Sequence, residues 1–105
     1  MTKYLVLYRA TMSAAEQMNQ NDPEQAEAGM KAWMDWARGA GDAVVDLGSP
    51  LGVVDPGGDE GDPIAGYSIL QAESAEALAA LLRNHPHAAR GGSIETLEML
   101  AVPGS

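Results

Sequence analysis

The chain has no cysteine, which removes disulfides, thiolate metal sites and cysteine nucleophiles and leaves the core to hold by packing, with or without a second subunit. Basic residues are scarce: six Lys and Arg against fifteen Asp and Glu give a formal charge of -9. That balance repels polyphosphate backbones and anionic bilayers alike, so neither nucleic acid nor membrane is an expected partner. No apolar run approaches the roughly 20 residues of a membrane span. Met1 to Arg9 holds neither a signal-peptide core nor a small-residue cleavage site, so a cytoplasmic protein is expected. Glycines in the order that cradles pyrophosphate are missing too, for Gly48-Ser-Pro-Leu-Gly52 and Asp55-Pro-Gly-Gly58 do not supply it; no nucleotide cofactor is expected.

What is present is ordinary globular material. With 46% hydrophobic residues, the 105-residue chain can bury a core, and its length fits a single domain over 1–105. Lys3 to Arg9 is rich in aromatic and β-branched residues and apolar on both alternating sets, Tyr4/Val6/Tyr8 and Leu5/Leu7, which predicts a strand covered on both faces. Ser13-Ala-Ala-Glu16 has capping-box spacing for a short helical turn, and Asp22-Pro23-Glu24-Gln25 opens a longer helix running to about Ala40. Ala26, Met30, Trp33, Ala37 and Ala40 fall on one stripe, predicted to pack on a sheet, and Glu27, Lys31, Asp35 and Arg38 form a solvated face. Trp36 lies between the two, placed for core or subunit packing or for walling a pocket.

Gly39 and Gly41 mark the helix end, and Ala43 to Leu47 reads as a second strand. An acidic, turn-rich loop from Asp55 to Pro63 precedes a third strand, Ile64 to Ala72. Ser74 caps a second helix with Ala75, Leu78, Leu81 and Leu82 as its buried stripe, ending near Asn84 before Pro86; Ser93 to Val102 is the final strand. The order β-α-β-β-α-β predicts an α+β, ferredoxin-like antiparallel sheet with two helices on one face. Its other face is apolar as well, and a homodimer packing sheet against sheet would cover it and enclose a barrel-like interior.

Val45 to Gly52, Gly66 to Leu78, His85-Pro-His87 and Gly92 to Leu100, taken with this order of elements, resemble the YCII-related (DGPF-type) family over nearly the whole chain. The resemblance implies a dimeric α+β barrel with a pocket where the second helix meets the sheet, floored by Asp46, Gly48 and Ser49. Several members of that family pair a histidine on the first long helix with an aspartate just before the proline that follows the second helix. Here Met30 lies nearest the first position and His85 holds the second.

Read by themselves, His85 and His87 flank Pro86, whose fixed φ stiffens the turn, and their near-neutral pKa makes them general-base or ligand-binding candidates. The plainer reading is a helix C-terminus, where imidazolium stabilises terminal carbonyls by about 0.3–1 kcal/mol. Asp46 interrupts an apolar run, and a carboxylate facing a barrel interior needs a partner. It can orient His85 as a catalytic base, or pair with Arg9 or Arg90, or sit at an exposed edge. Arg9, Tyr8 and Tyr67 are candidates for holding an anionic or aromatic ligand through the guanidinium fork and ring faces. Glu95 and Glu98 point to opposite faces and are no matched carboxylate pair. His85 and His87 would share a metal only if the turn folded back on itself, so no metal is expected. Two functions stay open: cofactor-free acid–base chemistry on a small molecule, with His85 as base and Asp46 as orienter, or a noncatalytic ligand-binding or regulatory dimer using the same cavity.

Overall fold

In the computed structural model, residues 1–11, 23–58, 61–89 and 91–101 are described. The apolar, β-branched stretch at the start forms strand β1 (Thr2–Arg9), and helix α1 (Pro23–Ala40) follows with proline in its first turn, Glu24 near its N-terminus and Arg38 near its C-terminus, the charge order its dipole favours. A short 3-10 turn (Gly41–Ala43) leads into β2 (Val44–Asp46), two residues shorter than the sequence suggests. Strand β3 (Ile64–Ala72) has the bounds predicted for it. Helix α2 (Ala75–Leu82) starts at Ser74, whose hydroxyl accepts the Ala77 N–H at 3.1 Å. A one-turn helix α3 (Pro86–Ala89) and strand β4 (Ser93–Glu98) complete the chain. The last strand ends before the expected Val102, although the Met99 N–H still donates to the Lys3 carbonyl at 3.0 Å. The capping-box segment at Ser13 and residue Arg90 lie outside the described residues.

The sheet order is β2-β3-β1-β4 and every neighbouring pair is antiparallel, with Tyr4 opposite Leu70 and Glu98, and Leu7 opposite Tyr67 and Glu95. This is the ferredoxin-like α+β arrangement. One set of alternate residues, Tyr4, Val6 and Tyr8 from β1 with Ser68, Leu70 and Ala72 from β3, is buried against Leu78 and Leu82 of α2, with Trp33 and Trp36 of α1 packed on the cluster. Each fully buried Val or Leu in such a core is worth roughly 1.5–3 kcal/mol relative to exposure. The other set, Leu5, Leu7, Tyr67 and Ile69, is only half-buried, and Leu97 beside Leu5 is 43% exposed.

The stripe expected on α1 is rotated. Trp33, Ala37 and Ala40 are half-buried and Trp36 joins them, whereas Ala26 and Met30 face water, Met30 at 62% exposure. The large indole of Trp36 removes more apolar area from water than an alanine and a methionine further out could, and it fixes the roll of the helix.

Gly48, just past β2, sits at φ +83, and a side chain there would overlap the Tyr67 carbonyl. Only glycine lets this turn press so closely on β3. Among the described residues no helix is long and apolar enough to cross a membrane.

Candidate functional site

Proline at position 86 cannot continue α2 but suits the first position of a helix, where its missing N–H costs nothing. It therefore does more than end one helix; it starts the next, and makes His85 the N-cap residue of α3. An N-cap side chain accepts the amide of the second helical residue, and here the His87 N–H donates to Nδ1 of His85 at 3.0 Å while the His85 carbonyl accepts the Ala89 N–H at 3.2 Å. The imidazole is thus bolted to its own backbone turn and driven into the layer between helices and sheet.

Three rings close around it. Tyr8 stacks on it with centroids 4.8 Å apart and planes 23° from parallel. Trp33 and Trp36 meet it edge-on at 4.5 and 4.4 Å. His85 has no solvent-accessible surface, and its Nε2 finds no hydrogen-bond partner among the described residues. Because the backbone N–H of His87 can only donate, Nδ1 must carry the lone pair and Nε2 the proton. Burial, and second to it the electrostatic effect of the neighbouring His87, pushes the pKa of His85 down to about 4. Near neutrality the ring is therefore an uncharged hydrogen-bond donor through Nε2. A buried donor without an acceptor costs about 1–3 kcal/mol.

The ring of Tyr8 is held from the opposite end: its hydroxyl donates to Ser68 Oγ at 2.9 Å, and Ser68 donates to the Leu47 carbonyl at 2.6 Å. Burial raises the Tyr8 pKa, against the opposing effect of the Ser68 bond. His87 meets Tyr8 edge-on at 5.4 Å and donates from Nε2 to the Arg9 carbonyl at 2.7 Å; Gly92 backs the ring so closely that any side chain there would overlap it.

The structure thus brings together His85, His87 and Tyr8, with Arg9 linked through its backbone. It does not bring Asp46 to His85, and the expected pair is corrected: Asp46 is exposed and turns its carboxylate back to the Gly48 N–H at 2.8 Å, while Nδ1 of His85 takes the His87 amide and its Nε2 meets no carboxylate among the described residues. The cause is local, since β2 shifts register between Val44 and Asp46 and an aspartate two residues before glycine readily closes such a turn. His85 is also misplaced as a base, because its one lone pair already serves the His87 amide. Arg9 sends its guanidinium to Glu95 at 3.1 Å and to the Asp62 carbonyl at 2.7 Å. Tyr67, opposite Leu7, lies on the other face of the sheet, and Ser49 is exposed with its hydroxyl on the Pro50 carbonyl at 3.2 Å. Ser68 was not singled out by the sequence; the signal it offered is a small polar residue in the inward-facing set Gly66/Ser68/Leu70, where only a group with a ready partner can be buried. Among the described residues, no three His, Asp or Glu side chains converge as metal ligands would.

Fold and cluster together define a ferredoxin-like α+β protein with a neutral histidine sealed in an aromatic box. The same fold occurs in 5-chloro-2-hydroxyhydroquinone dehydrochlorinase from Burkholderia phenoliruptrix AC1100, solved in complex with 2,5-dihydroxybenzoquinone, with a TM-score of 0.54 and 16% identity over 90% of this chain and 91% of that one. At that identity the likeness is one of fold. No protein-family model matches the chain, and no curated protein matches its sequence.

Proposed function

We propose that this protein is a YCII-like dimeric α+β barrel that binds a small, flat, oxygen-bearing molecule at His85 and performs cofactor-free chemistry on it. The observation that carries the reading is the buried Nε2 of His85, protonated and without a partner among the described residues, between three aromatic rings. A carbonyl or hydroxyl oxygen placed on that N–H satisfies the orphaned donor, and the rings of Tyr8, Trp33 and Trp36 supply faces for a conjugated ligand. A neutral imidazole donor stabilises negative charge developing on an oxygen without itself giving up a proton, so in an enolisation His85 would hold the oxygen while water takes the proton lost from carbon. The dehydrochlorinase of the same fold holds 2,5-dihydroxybenzoquinone, and what supports the present reading is its flat, oxygen-bearing ring rather than its charge. The half-exposed apolar face, Leu5, Leu7, Tyr67, Ile69 and Leu97, supports a second copy of the chain as the sheet-to-sheet partner.

A noncatalytic binder is the second reading, favoured by the commitment of the only His85 lone pair to the His87 amide. Titration calorimetry with 4-hydroxyacetophenone, hydroquinone and 2,5-dihydroxybenzoquinone tests the site. Loss of one hydrogen bond in His85→Phe weakens binding by about tenfold; equal affinity for both proteins removes His85 from the site. Recovery of the ligand chemically changed identifies an enzyme, and recovery intact identifies a binder.

A further inference from the structure

His85 is sealed, so a ligand needs a way in. Between α1 and the corner formed by α2 and α3 runs a shallow groove that is open to solvent over most of its extent. It exists because the facing residues are small: Ala32, Gly39 and Ala40 on one bank, Ala80 and Ala89 on the other. Trp36 lines this groove and also packs edge-on against His85 at 4.4 Å. We infer that the groove is the entrance to the His85 site and that the Trp36 indole is its movable partition, admitting flat, uncharged ring compounds. This rests on the binding reading above.

The tether on Trp36 is light. Its Nε1 donates to the Leu81 carbonyl at 3.3 Å, beyond the usual optimum near about 2.9–3.0 Å for N–H···O, and the ring is only half-buried. Trp33 is placed differently, wedged against both Tyr8 at 4.9 Å and His85 at 4.5 Å, and it does not line the groove. Moving Trp36 aside opens His85 to the groove; moving Trp33 disturbs the core. The choice of an uncharged ligand follows from the lining, which is mostly Ala, Leu and Pro with the Asp35 carboxylate beside it, in a chain of net charge -9. A dianionic quinone meets repulsion there that a neutral phenolic ketone does not.

Exchange of the His85 Nε2 proton with water, followed by nitrogen-15 NMR of the imidazoles, tests the partition without any ligand. The wild-type proton is expected to be protected, and both Trp36→Phe and Trp36→Ala to speed its exchange by about tenfold or more, while Trp33→Phe changes it by less than about twofold. The phenylalanine variant keeps a ring in the core and so guards against loss of the fold. An unprotected wild-type proton, an unchanged rate in both Trp36 variants, or equal acceleration by Trp33→Phe overturns the partition. Stopped-flow binding of 4-hydroxyacetophenone should likewise be faster in Trp36→Phe. If that ligand binds and His85→Phe weakens it, yet exchange ignores Trp36, the site stands and the entrance is wrong; if exchange responds to Trp36 and no ring compound binds, the binding reading falls and with it the ligand class inferred here.

Discussion

The two faces of the sheet are drawn from alternate residues of the same strands and come to opposite ends. On the helix side, Tyr4, Val6, Tyr8, Ser68 and Leu70 are buried, and each buried side-chain polar atom of that layer among the described residues finds a partner except Nε2 of His85. On the far side, Leu5, Leu7, Tyr67 and Ile69 are half-buried and Leu97 is more open still, with the Arg9–Glu95 ion pair at one end. The helix side is finished by the chain's own packing, and its single defect is chemical. The far side is unfinished in area, which is the kind of shortfall another subunit can make good. A function read from the first face and an assembly read from the second are therefore separable, and they can be broken separately.

The largest effect should come from truncating the finished face. Leu70→Ala, at a residue with no exposed surface, costs about 2–5 kcal/mol in urea unfolding. Its neighbour across the pleat behaves differently: Ile69→Asp shifts the sedimentation coefficient from that of a pair to that of a single chain, and a wild type that already sediments as a single chain at micromolar concentration ends the dimer proposal. Next in size is Gly48→Ala, which forces a side chain into positive φ against the Tyr67 carbonyl and lowers stability by about 1–3 kcal/mol or more in the same assay.

The chemical defect has a pH signature. The unfolded imidazole takes its proton near pH 6.5 and the folded one only near about 4, so between those values the unfolded chain binds the extra proton and acidification favours unfolding. Stability contributed by keeping His85 neutral is complete above pH 6.5 and is lost as pH falls toward 4, with a slope of at most about 1.4 kcal/mol per pH unit. In His85→Phe that component of the slope should vanish; an unchanged profile would place the imidazole in water. The smallest effect belongs to the exposed surface, where Arg38→Ala breaks the ion pair with Asp35 and alters unfolding by less than about 0.5 kcal/mol.

Much of the architecture was legible because strand and helix periods are strong signals when the apolar residues are large. Pro23–Ala40 and Ile64–Ala72 have the bounds their patterns predict, and the doubled apolar sets of β1 and β3 announced a sheet with two greasy faces. The roll of α1 was less legible, since its large apolar residues Met30, Trp33, Met34 and Trp36 fall on more than one face and the decision fell to Trp36 packing on His85. Asp46 misled for a different reason: a polar residue inside an apolar run reads as a buried carboxylate, whereas a slipped register and a glycine two residues on make it a turn-closer. The histidine pair was visible, but its use was not. Histidine is an unusual N-cap, and only Pro86 at the following position hinted that the imidazole would be held by an amide rather than by a carboxylate.

The break in β2 reaches beyond the turn it makes. That strand forms one rim of the sheet, and there Val44 and Asp46 fall out of step while Pro50, bridging Gly66 further along, has no amide proton to offer. An incoming strand finds an irregular ladder on that side, so copies of the chain cannot add there end over end into a fibril. Concentrated stocks should stay clear of amyloid growing from this rim.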